Sequence, residues 1–279
     1  MKKLIRFLLI IILILSLLII YARYGGTRGL ITKEYPIETT IDDSFDGLKI
    51  VHFSDLHYLR ITNKETTQSI IDEINLLNPD IVVFTGDLID KDYKPNDKDI
   101  SNLKELLTSI KSKYGKYSVL GEHDTKIEDT IKDIYISSNF TLLDNNYDII
   151  YGNNNNKLFI GGLSNNPDID KVMNYFTDNE DINYKIILVH EPDYIDTITS
   201  KYNNINLVLA GHSHNGQINI PYIKKIFLPE GSKKYYNNYY KVNNTNLYIS
   251  SGLGESKINF RLFNKPSINF YRINKIGTK

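Results

Sequence analysis

Apolar runs of strand length alternate with amphipathic helical segments in the first half of this chain, and that alternation restricts its fold more than any other feature. Three largely apolar runs predict strands buried on both faces, at residues 48–54, 80–85 and 116–120. Three segments with apolar residues at helical spacing follow them, at residues 66–77, 97–110 and 126–138. This β-α-β-α-β-α order is typical of a parallel sheet with helices on its faces, so the sequence predicts an α/β fold.

Strands outnumber helices in the second half. We predict six of them, at residues 147–151, 157–160, 184–189, 205–210, 247–250 and 268–273. The four asparagines at 153–156 separate the first two of these strands and favour a hairpin turn. The polar stretch 233–246, rich in tyrosine and asparagine, is expected to form a mobile loop.

The amino terminus has the composition of a membrane anchor. Residues 7–21 are apolar apart from Ser16, and a helix from residue 4 to residue 22, at about 1.5 Å per residue, would be nearly long enough to span the bilayer core. A cleaved signal peptide is the alternative, although Tyr21-Ala-Arg-Tyr24 is a poor cleavage site. We therefore expect a single-pass cell-membrane protein. Because basic residues flank the apolar segment on both sides, the positive-inside rule only slightly favours an orientation with the body outside the cytoplasm.

The charge balance and the cysteine content narrow the classes of function. The chain has 33 basic and 33 acidic residues, and without a basic excess we predict no nucleic-acid partner. It has no cysteine, which excludes disulfide bonds, thiolate metal sites and cysteine nucleophiles. A transition-metal site in this chain would therefore use carboxylates and imidazoles as its ligands.

Acidic residues and histidines follow the predicted strands at the point where each strand ends. They are Asp55, His57, Asp87, Glu122, His123, Asp124, His190, His212 and His214. In open α/β sheets, sites gather at the carboxyl ends of strands, and carboxylates and imidazoles bind divalent transition metals. Two such ions about 3.5–4 Å apart can stabilise both the attacking and the leaving oxygen of a phosphoryl displacement. The set predicts a metal-dependent hydrolase, whereas His52 lies within a strand and is expected to be structural.

The motifs at these strand ends resemble those of the calcineurin-like metallophosphoesterases, from about Lys49 to Asn264. The resemblance is carried by Asp55-Leu-His57, Gly86-Asp87, Gly121-Glu-His-Asp124, His190 and Gly211-His-Ser-His214. The flanking sequences Tyr21-Ala-Arg-Tyr24, His190-Glu-Pro-Asp193, Gly211-His-Ser-His-Asn-Gly-Gln217 and Ser251-Gly-Leu-Gly254 resemble a membrane-anchored bacterial branch of that family. The resemblance implies an α/β fold with a four-layer α/β/β/α sandwich preceded by one transmembrane helix. The expected divisions are an anchor at 1–24, a linker and edge strand at 25–46, and a calcineurin-like phosphoesterase domain at 47–279.

The resemblance also implies a role for each site residue. Two divalent ions, chosen among Mn, Fe, Zn and Mg, would be held by Asp55, His57, Asp87, Glu122, His190, His212 and His214. Asp87 would bridge the ions, and a hydroxide between them would attack the phosphorus of a phosphodiester or phosphomonoester. His123 would stabilise charge or protonate the leaving group, and Asp124 would orient it by accepting its other N–H.

Glu122 departs from the family pattern, which has asparagine at this position. The resemblance places position 122 with His190 and His212 on the second of the two ions. A carboxylate can replace the amide oxygen as a ligand, but its added negative charge would raise metal affinity while lowering the Lewis acidity of that ion. The alternative function is therefore a metal-binding membrane protein with weak or no catalysis. The substrate also stays open, because the anchor is compatible with a lipid-linked pyrophosphate and with small extracellular esters.

Overall fold

Two six-stranded β-sheets lie face to face in the computed structural model, which describes residues 1–60, 62–177, 182–221, 224–255 and 259–277. The strands formed by these residues are β1 (Ile31–Thr39), β2 (Leu48–Phe53), β3 (Ile81–Phe84), β4 (Gly115–Ser118), β5 (Phe140–Leu142), β6 (Asn146–Tyr151), β7 (Lys157–Gly162), β8 (Tyr184–Val189), β9 (Leu207–Ala210), β10 (Tyr239–Val242), β11 (Thr245–Ile249) and β12 (Ser267–Lys275). The α-helices are α1 (Lys2–Ile20), α2 (Lys64–Leu76), α3 (Asp97–Thr108), α4 (Glu128–Ser137), α5 (Ile169–Met173) and α6 (Ile195–Lys201).

The first sheet has the strand order β1-β12-β2-β3-β4-β5, and the second has the order β10-β11-β9-β8-β7-β6. Strands β2 to β5 run parallel, as the alternation of strands and helices predicts. Strands β7, β8, β9 and β11 also run parallel to one another. The carboxyl ends of β2, β3 and β4 therefore meet at one edge of the first sheet, and those of β8 and β9 meet at one edge of the second.

Alternate side chains of the central strands point to opposite faces, and this alternation produces three buried apolar layers. Between the sheets, Ile50 of β2 belongs to the same apolar cluster as Ile186 of β8. On the outer face of the first sheet, Val51 packs in a cluster with α2, α3 and α4, and on the outer face of the second, Val208 packs with α5 and α6. Each buried Ile or Val contributes about 1.5–3 kcal/mol. The predicted four-layer α/β/β/α sandwich is confirmed.

Side-chain caps fix the points at which two of the outer helices begin. The side chain of Asn63 accepts a hydrogen bond from the Thr66 N–H at the start of α2. Asn96 and Asp99 form a reciprocal capping box at the start of α3. Each cap stabilises its helix by about 1 kcal/mol. The loops that lead from β2 and β3 to these helices are therefore held at both ends.

The amino-terminal helix α1 differs from the others because none of its side chains is buried. Together with the helical turn that follows it, it forms one span of 24 residues, Lys2–Gly25, which is long and apolar enough to cross a membrane. Ala22, near the end of this span, is buried, and its carbonyl accepts a hydrogen bond from the Arg261 N–H at 2.9 Å. The end of the helix is thus attached to the folded body.

One local prediction differs from the structure, and one short strand was not predicted. The stretch 233–246, expected to be a mobile loop, contains β10, which pairs with β11 in an antiparallel hairpin. Asn243 adopts φ 51° in its turn, a conformation that asparagine tolerates, and the Tyr240 hydroxyl accepts hydrogen bonds from the backbone N–H groups of Tyr236 and Asn237. A polar composition does not reveal such hydrogen bonds, so the sequence did not predict this ordered hairpin. Strand β5 was not predicted, because three residues are too few to show a period.

Candidate metal centre

Loops from five strands bring the predicted site residues to one place, at the carboxyl ends of β2, β3, β4, β8 and β9. Asp55 and His57 follow β2, and Asp87 follows β3. A backbone hydrogen bond joins these two loops, because the Asp55 N–H donates to the Gly86 carbonyl at 2.9 Å. Five site residues adopt left-handed backbone conformations: Asp55, His57, Asp87, His212 and His214. Such conformations cost about 1–3 kcal/mol each for residues other than glycine, and they concentrate at functional sites.

The first group of possible metal ligands consists of Asp55, His57 and His214. One ligand atom from each lies within 4.8 Å of the others, and all three side chains are buried. His57 Nε2 is 3.3 Å from His214 Nε2, and His214 Nε2 is 3.6 Å from Asp55 Oδ1. Two imidazole nitrogens and a carboxylate oxygen therefore face a common point.

The second group consists of Asp87, His190 and His212, which are also buried and within 4.8 Å of one another. His190 Nε2 lies 3.3 Å from Asp87 Oδ2 and 3.1 Å from His212 Nδ1. Asp87 belongs to a further group with His57 and His123, since its Oδ2 is 3.8 Å from His57 Nε2. The Asp87 carboxylate thus lies between the two groups.

The outward-facing ring nitrogens test whether these histidines suit a metal ion. His190 Nδ1 is 2.7 Å from the Thr85 carbonyl, and His212 Nε2 is 2.5 Å from the Glu230 carbonyl. A carbonyl oxygen only accepts, so each outer nitrogen carries the proton. The inner nitrogen of each neutral ring then keeps its lone pair, which is the arrangement of a metal-binding histidine. The donor set fits divalent cations.

Buried charge in the second group is balanced by a proton. Burial opposes ionisation of His190, but the Asp87 carboxylate outweighs it and raises the pKa of His190 to about 10. Burial would raise the pKa of Asp87, yet His190 and then His57 hold it well below its usual range. Burial and the neighbouring His57 lower the pKa of His214, which keeps its imidazole neutral. A divalent cation would replace the proton that His190 otherwise needs.

Asp90 is a buried site residue that the sequence motifs do not reveal. Its Oδ2 lies 3.4 Å from His57 Nδ1 and 3.7 Å from His123 Nδ1, although the contact to His57 lacks the direction of a hydrogen bond. Arg60 NH1 donates to the same oxygen at 3.2 Å. Burial would raise the pKa of Asp90, but His57 and Arg60 lower it to about 2. An acid three residues after Gly86-Asp87, in the same loop, was the available sequence signal.

We predict that Asp90→Asn reduces both metal affinity and turnover by about 10–100-fold, the usual effect of losing an acid that orients a ligating histidine. The amide keeps the shape but removes the negative charge beside His57 Nδ1. Metal titration with kinetics measures both quantities. Asp92→Asn is the matched control, because Asp92 also contacts Arg60, at 3.4 Å, but is exposed. Equal effects of the two substitutions would contradict a specific role for Asp90.

His123 is held differently from the other site histidines. The backbone N–H of Lys91 donates to His123 Nδ1 at 3.2 Å, so the neutral ring carries its proton on Nε2. Nε2 lies 3.4 Å from Glu122 Oε1 and 4.0 Å from Asp87 Oδ2. Burial lowers the pKa of His123, but the Glu122 hydrogen bond and the Asp87 charge raise it overall. A proton on Nε2 leaves no lone pair there for a cation, and the raised pKa favours the imidazolium form, which can donate that proton.

Asp124 and Glu122 lie in other places than expected. Asp124 does not meet the outer N–H of His123; its buried carboxylate accepts backbone N–H groups from Gly121 at 2.8 Å, Asp87 at 3.0 Å and Leu88 at 2.9 Å. These loop amides need acceptors, so Asp124 fixes the backbone that carries Asp87. The half-exposed Glu122 contacts His123 and Lys91, and among the described residues it belongs to none of the three ligand groups.

A cleft of about 200 Å³ opens over these residues. Its walls are formed by Arg60, Asp87, Lys91, Asp92, Glu122, His123, His212, His214 and Pro229. Arg60 and Lys91 contribute cations to a cleft whose base contains carboxylates and imidazoles. This volume and charge suit a small anionic group such as a phosphate ester.

His52, expected to be structural, lies between the sheets rather than in the cleft. Its ring nitrogens are 2.9 Å from Thr85 Oγ1 and 3.2 Å from the Tyr271 hydroxyl. Burial lowers its pKa to about 3, so the ring is neutral. Its hydrogen bonds join β2 to β12 and to the end of β3.

A comparison with known protein families shows which family these motifs belong to. A family model described as Calcineurin-like phosphoesterase matches residues 48–216, more than half of the chain. The match begins at the first residue of β2 and ends two residues after His214. It therefore contains every member of the three ligand groups.

Three relatives are similar over most of this chain. The uncharacterized metallophosphoesterase YkuE of Bacillus subtilis is 33% identical over 262 residues, covering 91% of this chain and 88% of the relative. The uncharacterized metallophosphoesterase Cj0846 of Campylobacter jejuni is 30% identical, covering 90% of this chain and 66% of the relative. A zebrafish transmembrane protein with metallophosphoesterase domain is 25% identical, and this chain spans 60% of its length.

Proposed function

This chain belongs to the calcineurin-like phosphoesterases, and from that membership we propose how its residues hydrolyse a phosphate ester. It is a metal-dependent phosphoesterase, a hydrolase of phosphoric ester bonds. The observation that carries the proposal is the position of Asp87, whose carboxylate belongs to ligand groups on both sides of it. A single buried acid that two sets of imidazoles share is the arrangement that a two-ion centre requires.

We propose that two ions bind here, one at each group. The side chains that would hold them are Asp55, His57, Asp87, His190, His212 and His214. When bound, such ions generate a nucleophile from water at neutral pH and neutralise charge on the phosphoryl oxygens. Imidazole and carboxylate ligands suit Mn, Fe or Zn, and carboxylates also suit Mg.

The remaining groups of the cleft act on the substrate. The imidazolium form of His123, which its raised pKa favours, donates its Nε2 proton to the leaving oxygen and becomes a neutral imidazole, and Glu122 Oε1, 3.4 Å from Nε2, stabilises the charged ring. Arg60 and Lys91 line the cleft and attract the negative charge of the ester. The proposed bond broken is the phosphorus–oxygen bond to the leaving group, in a phosphodiester or phosphomonoester.

Hydrolysis of bis-nitrophenyl phosphate by the full-length protein, with manganese added, tests this function. We expect release of nitrophenolate that chelator abolishes and that restored manganese recovers. The Asp87→Asn protein is the blank, because it removes the shared carboxylate. Failure to cleave this diester and nitrophenyl phosphate, with manganese, iron, zinc or magnesium, would refute the catalytic proposal.

Glu122→Asn tests the alternative of a metal-binding protein with weak or no catalysis. We predict that the parent is active and that the substitution moves the alkaline limb of its pH profile to lower pH. A proton donor loses activity as pH rises through its pKa, and Glu122 is a contact that raises the pKa of His123. The pH dependence of kcat measures the shift. An inactive parent that gains activity on substitution would favour the alternative.

We also propose that Lys2–Gly25 anchors the protein in the cell membrane as a single span, with the catalytic domain outside the cytoplasm. Its length and composition support the span, and its side chains are available to lipid because none of α1 is buried. Tyr21 and Tyr24, both exposed, lie where aromatic residues favour the membrane interface. Protease accessibility of the body in intact cells tests the orientation. If the body is protected in intact cells and digested only after lysis, the catalytic domain faces the cytoplasm and the proposed orientation is wrong.

A further inference from the structure

We propose that three exposed apolar side chains, Ile226, Phe227 and Phe263, form a second contact with an anionic lipid bilayer beside the anchor helix. We call these three residues the apolar rim. The proposal rests on the proposed membrane anchor and adds an orientation for the catalytic cleft. Lipid contact at the rim would place the mouth of the cleft over the headgroups.

The anchor helix ends against the loop that carries Phe263. The Ala22 carbonyl accepts the Arg261 N–H at 2.9 Å, and a Cβ on Gly26 would lie only 1.7 Å from the Arg261 carbonyl oxygen. The buried side chain of Arg261 reaches the metal centre, with NH2 3.5 Å from His214 Nδ1. One residue therefore connects the anchor to a proposed metal ligand, so the metal centre lies near the membrane surface.

Phe263 is held outward in a strained conformation. Its φ is 56°, which is unusual for a bulky residue, and 62% of its surface is exposed. The flanking backbone keeps it there, because the Leu262 N–H donates to the Gln217 carbonyl at 3.1 Å and the Leu262 carbonyl accepts the Asn219 N–H at 2.8 Å. An exposed aromatic side chain in a strained conformation is one observation in favour of a binding role at this place.

Ile226 and Phe227 lie on the neighbouring segment, with 75% and 48% of their surfaces exposed. Asn219 links the two parts of the rim: its amide donates to the Phe263 carbonyl at 3.4 Å, and its oxygen accepts from Lys224 Nζ at 3.1 Å. The segment continues to Pro229, which lines the catalytic cleft. The rim and the cleft mouth therefore belong to one continuous surface.

Positive charge beside the rim identifies an anionic bilayer as the partner. Lys225 immediately precedes the rim and is exposed, and Arg28 is exposed just beyond the anchor. Lysine and arginine side chains near an anionic membrane surface are attracted to it. Apolar side chains flanked by basic ones match the composition of interfacial segments, which insert about 5–10 Å into the bilayer.

Single-cysteine fluorescence tests the contact, and the absence of native cysteine makes the labelling specific. The full-length protein is placed in nanodiscs of phosphatidylcholine and phosphatidylglycerol, with or without brominated acyl chains. An NBD label is attached in the variants Ile226→Cys, Phe263→Cys, Leu76→Cys, Ile136→Cys and Leu13→Cys. Leu76 and Ile136 are matched controls, since they are 79% and 68% exposed on helices α2 and α4. Each variant must retain turnover of a soluble ester, and Phe227→Cys replaces a rim variant that does not.

We expect the fluorescence emission of the labels at 226 and 263 to be blue-shifted and to be quenched by brominated lipid. The labels at 76 and 136 should show neither effect. Quenching at 13 with no rim quenching would overturn the rim contact and leave the anchor standing. No quenching at 13 would refute the anchor, and the rim contact with it. Blue-shifted but unquenched rim labels would assign the rim to a protein partner, such as a second copy of the chain, and also overturn the proposal.

Discussion

Asp87→Asn is expected to abolish activity and to remove most of the bound metal. The substitution removes the charge of the carboxylate that lies 3.3 Å from His190 Nε2 and 3.8 Å from His57 Nε2. Turnover should fall at least about a thousandfold, because loss of even one group that stabilises transition-state charge costs about 10²–10³. Metal content by mass spectrometry and the kinetics of diester cleavage measure the two effects.

Metal-dependent stability gives a second measurement for Asp87→Asn that does not require activity. A ligand that binds only the folded state raises the melting temperature, and tighter binding raises it further. We expect manganese to stabilise the parent and to have little effect on the variant. Asp72→Asn is the control, since Asp72 is exposed on α2 and does not line the cleft. An Asp87→Asn protein with full metal content would show that Asp87 does not bridge the two groups.

The strands that carry the centre were predictable from the sequence because their signal is local. Each parallel strand is a run of apolar residues buried on both faces, and the residue that follows the run necessarily lies at the edge of the sheet. Asp55 and Asp87 are therefore identifiable as site residues from the sequence alone. The topology then brings their loops together, as the Asp55–Gly86 backbone hydrogen bond shows.

The direction of each side chain was not predictable in the same way. Asp124 follows His123 in the chain, yet within the tight turn His123–Ile127 its carboxylate points to the amides of Gly121 and Leu88 instead. Asp90 contacts two site histidines from within a loop that has no periodic signal. Adjacency in sequence indicates which loop a residue belongs to, whereas its hydrogen-bond partners depend on which backbone groups that loop leaves unpaired.

His123→Ala is expected to reduce turnover by about 10²–10⁴-fold while leaving the bound metal nearly unchanged, as removal of a general acid does. The metal should stay bound because the Lys91 N–H, which donates to His123 Nδ1, leaves a proton and no lone pair on Nε2 of the neutral ring. His190 has the opposite arrangement, because the Thr85 carbonyl keeps the proton on its Nδ1. These two rings therefore differ in function although both contact Asp87.

The matched experiment compares His123→Ala with His190→Ala in the same preparation. We expect the His190 variant to lose metal and activity together, and the His123 variant to lose activity alone. Esters with better leaving groups should restore more of the lost rate in the His123 variant, since an acidic leaving group needs no protonation. Loss of metal from His123→Ala would make this histidine a ligand, whose Nε2 lone pair would then have to be free. An unaltered dependence on the leaving group would remove its role as proton donor.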